Sequence, residues 1–257
     1  FPFINFNHDG TCNYCLNYKK IQVKGKDELD TNIKNHTKNK TGQYDCLVAL
    51  SGGRDSSYSL YYIKEILGLN PLAFSYDWGM LTDLGRRNQS RVCGKLGIEH
   101  IIVSADIRKK RRNIKLNVLA WLKNPSLGAI PLFMAGDKQY FYYANKIKSQ
   151  NDINLVVMGE NMLEKTGFKI LFSGAKQEEK GFMSYHMSNK NKMNMIYYYF
   201  NQYLKNPSYI NRSLFDTTLA FLSYYAIPHN YLNLFDYLHW DEKYIDNCIK
   251  DFFDWEL

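Results

Sequence analysis

The sequence predicts an α/β fold, a parallel sheet with helices on its faces. Two observations carry that reading. Short, almost wholly apolar runs recur at 45–50, 72–76, 98–104 and 153–158, the texture of strands buried on both faces. Between them lie helix-spaced stretches at 56–67, 82–96, 114–122 and 137–148. Such alternation argues for βαβ units with right-handed crossovers. Composition admits the fold: 257 residues, 45% hydrophobic and 16% aromatic, exclude a disordered chain. No run approaches the roughly 18 apolar residues of a membrane span.

Each element has a local reason. Residues 1–43 are polar and rich in Lys and Asn, with Cys12 and Cys15 close together; they read as a small N-terminal module and a helical lead-in. The run from Asp45 to Leu50 ends at a glycine pair. The helix from Ser56 stops at Gly68, a C-cap signal, and Pro71 precedes the strand Leu72 to Tyr76. A helix from about Thr82 to Leu96 ends at Gly97, and the strand Ile153 to Met158 ends at Gly159. Residues 44–175 form the expected α/β domain. Residues 176–257 read as a helical region packed on the sheet, with helices near 192–205 and 212–226 and no clear strand. The text begins at Phe1 without a signal-peptide pattern and reads as a fragment cut at its N-terminus. Five cysteines are too few, and odd in number, for a secreted disulfide scaffold, so a cytoplasmic location is expected.

Lys and Arg total 33 against 25 Asp and Glu, a formal net charge of +8. That balance favours phosphate-bearing partners. Arg108 to Arg112 form an unbroken basic run, read either as a solvated helix start or as a clamp for a phosphate or charged sugar. Nucleic-acid binding wants aromatics interleaved with cations. The densest tyrosine cluster, Tyr197 to Tyr199, is weakly charged, so nucleic acid is not the expected partner.

The strongest signal is Leu50-Ser51-Gly52-Gly53-Arg54-Asp55-Ser56-Ser57, after a strand and opening a helix. Paired glycines let the backbone approach a ligand, and free N–H groups at a helix start favour an anion. Ser51, Ser56 and Ser57 add hydroxyls. Asp55 repels a bare phosphate, which points to a bridging Mg²⁺. No Lys follows the glycines, so this is not a Walker A loop, and it is not Gly-x-Gly-x-x-Gly. It resembles the Ser-Gly-Gly-x-Asp-Ser-Ser pyrophosphate loop of the PP-loop ATP pyrophosphatases, the adenine nucleotide alpha hydrolase-like fold. That resemblance implies ATP as cosubstrate, cleaved between its α and β phosphates to adenylate a carbonyl oxygen that a nucleophile then displaces.

Longer stretches narrow the resemblance. Phe6-Asn7-His8-Asp9-Gly10-Thr11-Cys12-Asn13-Tyr14-Cys15, Asp83 to Gln89, Ile130 to Gln139 and Gly159-Glu160-Asn161 resemble the N-acetyl sugar amidotransferases of surface-polysaccharide and lipopolysaccharide synthesis. The resemblance runs over about residues 1–175. It implies conversion of the N-acetyl group of a nucleotide-activated sugar to an acetamidino group, with ammonia from a separate glutaminase partner. Members usually carry another Cys-x-x-Cys upstream of the first stretch, which this sequence starts too late to include.

Other residues keep two readings. Cys12 and Cys15 have the spacing of half a Zn²⁺ site or of a redox pair or free thiols. Cys46 and Cys93 read as buried thiols or as a persulfide carrier, as in tRNA-thiolating relatives. Asp77, after the second strand, contacts the nucleotide or a metal, or shapes the turn before Trp78-Gly79. Asp137 and Lys138 cap a helix or hold the sugar. Gly159, Glu160 and Asn161 end a strand at the ligand edge and suit a nucleotide or substrate contact. Arg86 and Arg87 grip a sugar carboxylate or diphosphate, or line a solvated helix face.

Overall fold

The computed structural model describes residues 4–16, 22–38, 41–133, 136–161, 164, 171–173, 188–227 and 231–256. Met134 and Ala135, part of the quoted stretch at 130–139, lie outside the described residues. A short helix α1 (Asn13–Leu16) and the helix α2 (Lys26–Thr37) precede the first strand. Then come β1 (Cys46–Ala49), α3 (Arg54–Tyr61), β2 (Pro71–Asp77), α4 (Asp83–Leu96), β3 (His100–Ser104), α5 (Ile107–Lys123), α6 (Ile130–Phe133), α7 (Gln139–Gln150) and β4 (Leu155–Met158). The chain closes with α8 (Asn189–Lys205), α9 (Leu214–Tyr225), β5 (Tyr231–Asn233) and α10 (Glu242–Phe253).

Among the described residues the sheet has five strands, ordered β3-β2-β1-β4-β5, all parallel. The chain winds outward from β1 to β3, then returns to place β4 on the other side of β1. The strand order therefore reverses between β1 and β4, where an open α/β sheet leaves a crevice at its carboxyl edge. The two-residue period of β1 divides the core. Cys46 and Val48 face a cluster with Leu29, Ile63, Val92, Ile245 and Phe253, from α2 through α4 and α10. Leu47 faces the opposite layer, with Phe74, Ala144, Ile147 and Val156. A third cluster joins Ala120 of α5, Met195 and Tyr199 of α8, and Phe221 and Tyr225 of α9.

The four expected strands are present, and α4 lies between its expected ends. Thr82 caps it by accepting from Gly85 N, and Gly97 ends it at φ 61°. Three expectations change. The helix after β1 is α-wound only to Tyr61 and π-wound over Tyr62–Ile66. The region read as helical adds a strand, β5, and a further helix, α10. And α5 starts at Ile107, not near 114, because Asp106 caps it by accepting from Lys109 N at 3.0 Å.

That last change relocates the basic run. It lies inside a helix, and its middle residue is internal. Lys110 Nζ pairs with Asp216 Oδ1 of α9 at 3.2 Å, both side chains under 8% exposed, and donates to Gln139 Oε1 at 3.1 Å. Arg111 Nε donates to the carbonyl of Gly79 at 2.8 Å. Neither of these two is a free phosphate clamp. Removing one partner of a buried pair strands the other charge. Lys110→Ala should therefore destabilise the fold by about 3–5 kcal/mol in urea unfolding, and Lys110→Ala combined with Asp216→Ala by less than the sum of the two single losses.

A polar relay ties β3 and β2 to the end of β1. The Ser75 hydroxyl donates to the Leu50 carbonyl and accepts from His100 Nε2, the latter at 2.7 Å. Burial lowers the His100 pKa from the ordinary 6.5, so the folded chain holds this ring neutral where the unfolded chain binds a proton. Stability from this residue should thus fall as pH drops below 6.5 toward the lowered folded value. Urea midpoints across that window should slope less steeply in His100→Gln than in the parent.

Candidate active site at the switch point

A cleft of about 580 Å³ opens between the ends of β1 and β4. The loop after β1 forms one wall. Gly53 stands at the N-cap of α3 and offers no capping side chain, so the first N–H groups of the helix are left for a ligand. The loop is braced from within. The Ser51 and Ser56 hydroxyls lie 2.9 Å apart, Ser51 N donates to Ser56 Oγ at 3.2 Å, and Gly53 N donates to Ser51 Oγ at 3.3 Å. Ser51, Gly53, Asp55 and Ser56 line the cleft. Ser57 does not: it is fully buried, and its hydroxyl donates to the Gly53 carbonyl at 2.7 Å. Gly52 also turns inward at φ 81°, packed against Gly85 of α4.

Asp55 is a firmly held carboxylate of the cleft. Its Oδ2 accepts from Asn161 Nδ2 at 2.7 Å, and its Oδ1 accepts from Arg54 Nε and Trp240 Nε1, each at 3.1 Å. The loop after β1 and the turn after β4 are thereby joined across the switch point. Gly159 allows the approach, since a Cβ there would lie 2.4 Å from Ser59 Oγ and 3.0 Å from the Asp55 carbonyl. Glu160 is fixed through its backbone: its N–H donates to Asn233 Oδ1 and its carbonyl accepts from Asn233 Nδ2, both at 2.8 Å.

Asp137 and Lys138 reach the same cleft from the N-terminus of α7. Lys138 Nζ sits 4.6 Å over the Tyr224 ring. Burial opposes its charge, but Asp137, then Tyr224, Glu160 and Glu164, raise its pKa above the usual lysine value, so it faces the cleft as a cation. Surrounding protein, and after it the charges of Glu160 and Asp55, push the Glu164 carboxyl up, with Lys138 opposing. Among the described residues the cleft carries no surplus of positive charge: Arg54 and Lys138 face Asp55, Asp137, Glu160 and Glu164.

Three more expected site residues lie outside the cleft. Asp77 is 1% exposed; it accepts from Gly79 N at 2.9 Å and pairs with Arg86, which is the turn-shaping reading. Arg87 pairs with Glu256 at 2.7 Å. Neither arginine lines the cleft. The stretch from Asp83 to Gln89 instead braces the loop from outside: Gly85 abuts Gly52, Asn88 exchanges hydrogen bonds with the Glu256 backbone, and Gln89 Nε2 donates to the Leu50 carbonyl at 3.2 Å.

Several participants were not visible in the sequence. Arg54 pairs with Glu242 at 2.6 Å and Asp246 at 3.5 Å, and lies 5.2 Å from the Trp240 ring. Glu242, Asp246 and Trp240, with Asn233 and Glu164, close the site from regions that carry no recognisable pattern. The five cysteines stay outside the lining. Cys93 is buried, and burial pushes its thiol up to about 12. Cys15 N donates to Cys12 Sγ at 3.3 Å, a turn that folds the chain around one sulfur. No group of three His, Cys, Asp or Glu side chains suited to a metal occurs among the described residues.

No helix among the described residues is long and apolar enough to cross a membrane. No protein-family model matches the chain. It is 30% identical over 106 residues to an uncharacterized protein of Methanocaldococcus jannaschii, a match covering 40% of this chain and 38% of that protein. The chain thus matches about two fifths of that relative's length. Among solved structures it is similar to NMN synthetase from Francisella tularensis, with a TM-score of 0.32, 17% identity, and coverage of 54% of this chain and 56% of that one. It is also similar to NH3-dependent NAD synthetase from Campylobacter jejuni, with a TM-score of 0.38, 15% identity, and coverage of 77% and 93%. The U34-tRNA thiolase from Methanococcus maripaludis gives a TM-score of 0.37, 13% identity, and coverage of 88% and 73%.

Proposed function

We propose that the chain is an ATP-dependent, AMP- and pyrophosphate-forming amidotransferase of the PP-loop superfamily, acting on the N-acetyl group of a nucleotide-activated sugar. The observation that carries the reading is the junction at the switch point. The Ser51–Ser56 loop and the Gly159–Asn161 turn meet over one cleft, joined through Asp55 and Asn161 at 2.7 Å. The motif resemblances supply the substrate class.

In this reading the loop's N–H groups and the Ser51 and Ser56 hydroxyls receive the β and γ phosphates, and α3 adds its positive end. The donors around Asp55 fix its carboxylate before substrate arrives. Mg²⁺ suits such a site, since it is held by one or two carboxylates together with substrate phosphates rather than by a full protein cage; Asp55 is the proposed ligand. When bound, the ion neutralises charge on the departing pyrophosphate. Lys138, cationic on the opposite wall, holds an anionic part of the sugar nucleotide, with Asp137 and Glu160 orienting it. The acetamido oxygen attacks the α-phosphorus and pyrophosphate leaves. Ammonia adds to the resulting imidate carbon, and AMP departs with that oxygen, leaving the acetamidino group. Ammonia is itself the nucleophile; the proposed source is a glutaminase subunit. Zn²⁺ at Cys12 and Cys15 would require two further ligands beyond the described residues, and no step is assigned to it.

A thiolating enzyme wants an accessible, low-pKa thiol. Cys46 and Cys93, the two thiols offered as carriers, are buried, which disfavours a thiolating route through either of them. The test is to give the full-length protein ATP, Mg²⁺ and ammonium with N-acetyl nucleotide sugars, and in parallel with tRNA. AMP and pyrophosphate that appear only with a sugar support the proposal. ADP with phosphate, or thiolated tRNA without sugar turnover, defeats it.

A further inference from the structure

The charge surplus and most of the exposed large apolar side chains occupy the same helices, none of whose exposed apolar residues lines the cleft. Residues 107–133 and 188–227 carry eleven Lys and Arg but a single acidic residue, Asp216, and that one is buried against Lys110. The helices of these segments share a core, with Ala120, Met195, Tyr199 and Phe221 facing inward. Yet α8 has a second apolar face. Met193, Tyr197, Phe200 and Leu204 are 62%, 69%, 58% and 61% exposed, with Ile196 beside them at 45%. At 100° per residue these five fall within an arc of about 100° opposite Met195. Lys192 borders the arc on one side and Lys190 on the other. Similarly, α5 turns Arg108, Arg112 and Lys115 outward and continues the row with Leu119 and Leu122. On α9, Phe215, Leu219 and Leu222 are exposed at helical spacing.

So many outward apolar chains on one helical cluster mark a binding surface. The charges select the occupant. A second copy, paired in either direction along α8, sets Lys190 and Lys192 against Lys192 or Lys205 of its mate. Protein interfaces as a class deplete lysine around their apolar centres. A nucleic acid would satisfy the cations but offers no hydrocarbon phase to Met193, Ile196 and Leu204. An anionic lipid surface accepts both: aliphatic and aromatic side chains enter the headgroup boundary while Lys and Arg meet the negative charge.

We propose that α8, with the outer rows of α5 and α9, docks the protein peripherally on anionic membranes. The experiment is co-flotation of the full-length protein with vesicles of phosphatidylcholine alone or mixed with phosphatidylglycerol. Binding to the mixed vesicles, lost at high salt and absent with phosphatidylcholine, is expected. Each of Lys190→Ala and Lys192→Ala should lower the partition coefficient roughly fivefold. Phe200→Ser with Leu204→Ser should lower it further while leaving ATP turnover intact, since neither residue lines the cleft. No flotation, or equal flotation on both vesicle types, overturns the proposal. So does a dimer in light scattering that Phe200→Ser dissolves, or RNA binding through the same lysines without vesicle binding.

Discussion

Asp55→Asn should abolish most ATP turnover while leaving the fold in place. AMP release is expected to fall by about 10²–10³-fold, the scale of losing one preorganised charge at a reacting centre. The substitution removes the charge on which the proposed Mg²⁺ depends. It also sets an amide NH2 against Asn161 Nδ2, which now donates to Asp55 at 2.7 Å. Trp240 and Arg54 keep an acceptor at Oδ1, so the cost in stability should be about 1 kcal/mol. AMP assay and thermal melt on the same preparation separate the two effects. Full activity in Asp55→Asn would remove Asp55 from the metal-holding role.

Gly52→Ala should act through the fold. The residue stands at φ 81°, and an added Cβ would lie 2.2 Å from the Gly85 carbonyl oxygen and 2.8 Å from its carbon. The left-handed backbone costs about 1–2 kcal/mol for alanine. Backbone atoms of α4 cannot rotate aside as a side chain would, so overpacking adds about 1–3 kcal/mol. The melting temperature should drop by roughly 2–4 °C for each kcal/mol lost in a chain of this size. Turnover should fall as well, because the loop and α4 move apart together. Gly53→Ala is the control. Gly53 has φ −81°, and its nearest contact to an added Cβ is Ser51 Oγ at 3.3 Å. It should melt close to the parent. A Gly52→Ala protein as stable as Gly53→Ala would refute the close approach of α4 to the loop.

What the sequence made legible followed from local physics. Strand runs buried on both faces, glycine C-caps and the Thr82 cap need no distant partner, and they placed four strands and α4. The Ser51–Asp55 loop was legible because its glycines and hydroxyls serve one local turn. What stayed hidden depends on the chain meeting itself. The strand β5 is three residues, Tyr231–Asn233, too short to show alternation, and becomes a strand only through pairing with β4. Trp240 reaches Asp55 from 185 residues away. Four residues of the basic run are exposed at the start of α5, as the solvated reading expects, but charge spacing does not reveal burial: Lys110 is inside because Asp216 arrives from α9. Arg86 and Arg87 lie half-exposed on α4, the helix-face reading, and their anions are Asp77 and Glu256 of the chain itself. The surplus behind the +8 charge is concentrated in residues 107–133 and 188–227, which hold eleven Lys and Arg and one Asp.

The fate of one oxygen atom tests the central claim. An N-acetyl nucleotide sugar carrying heavy oxygen in its acetamido carbonyl, incubated with ATP, Mg²⁺ and ammonium, should yield AMP bearing that oxygen and an acetamidino sugar lacking it. Mass spectrometry reads both products. Heavy oxygen retained on the sugar, or found in phosphate or pyrophosphate, would contradict adenylation of the acetamido oxygen and the reading of the cleft built on it.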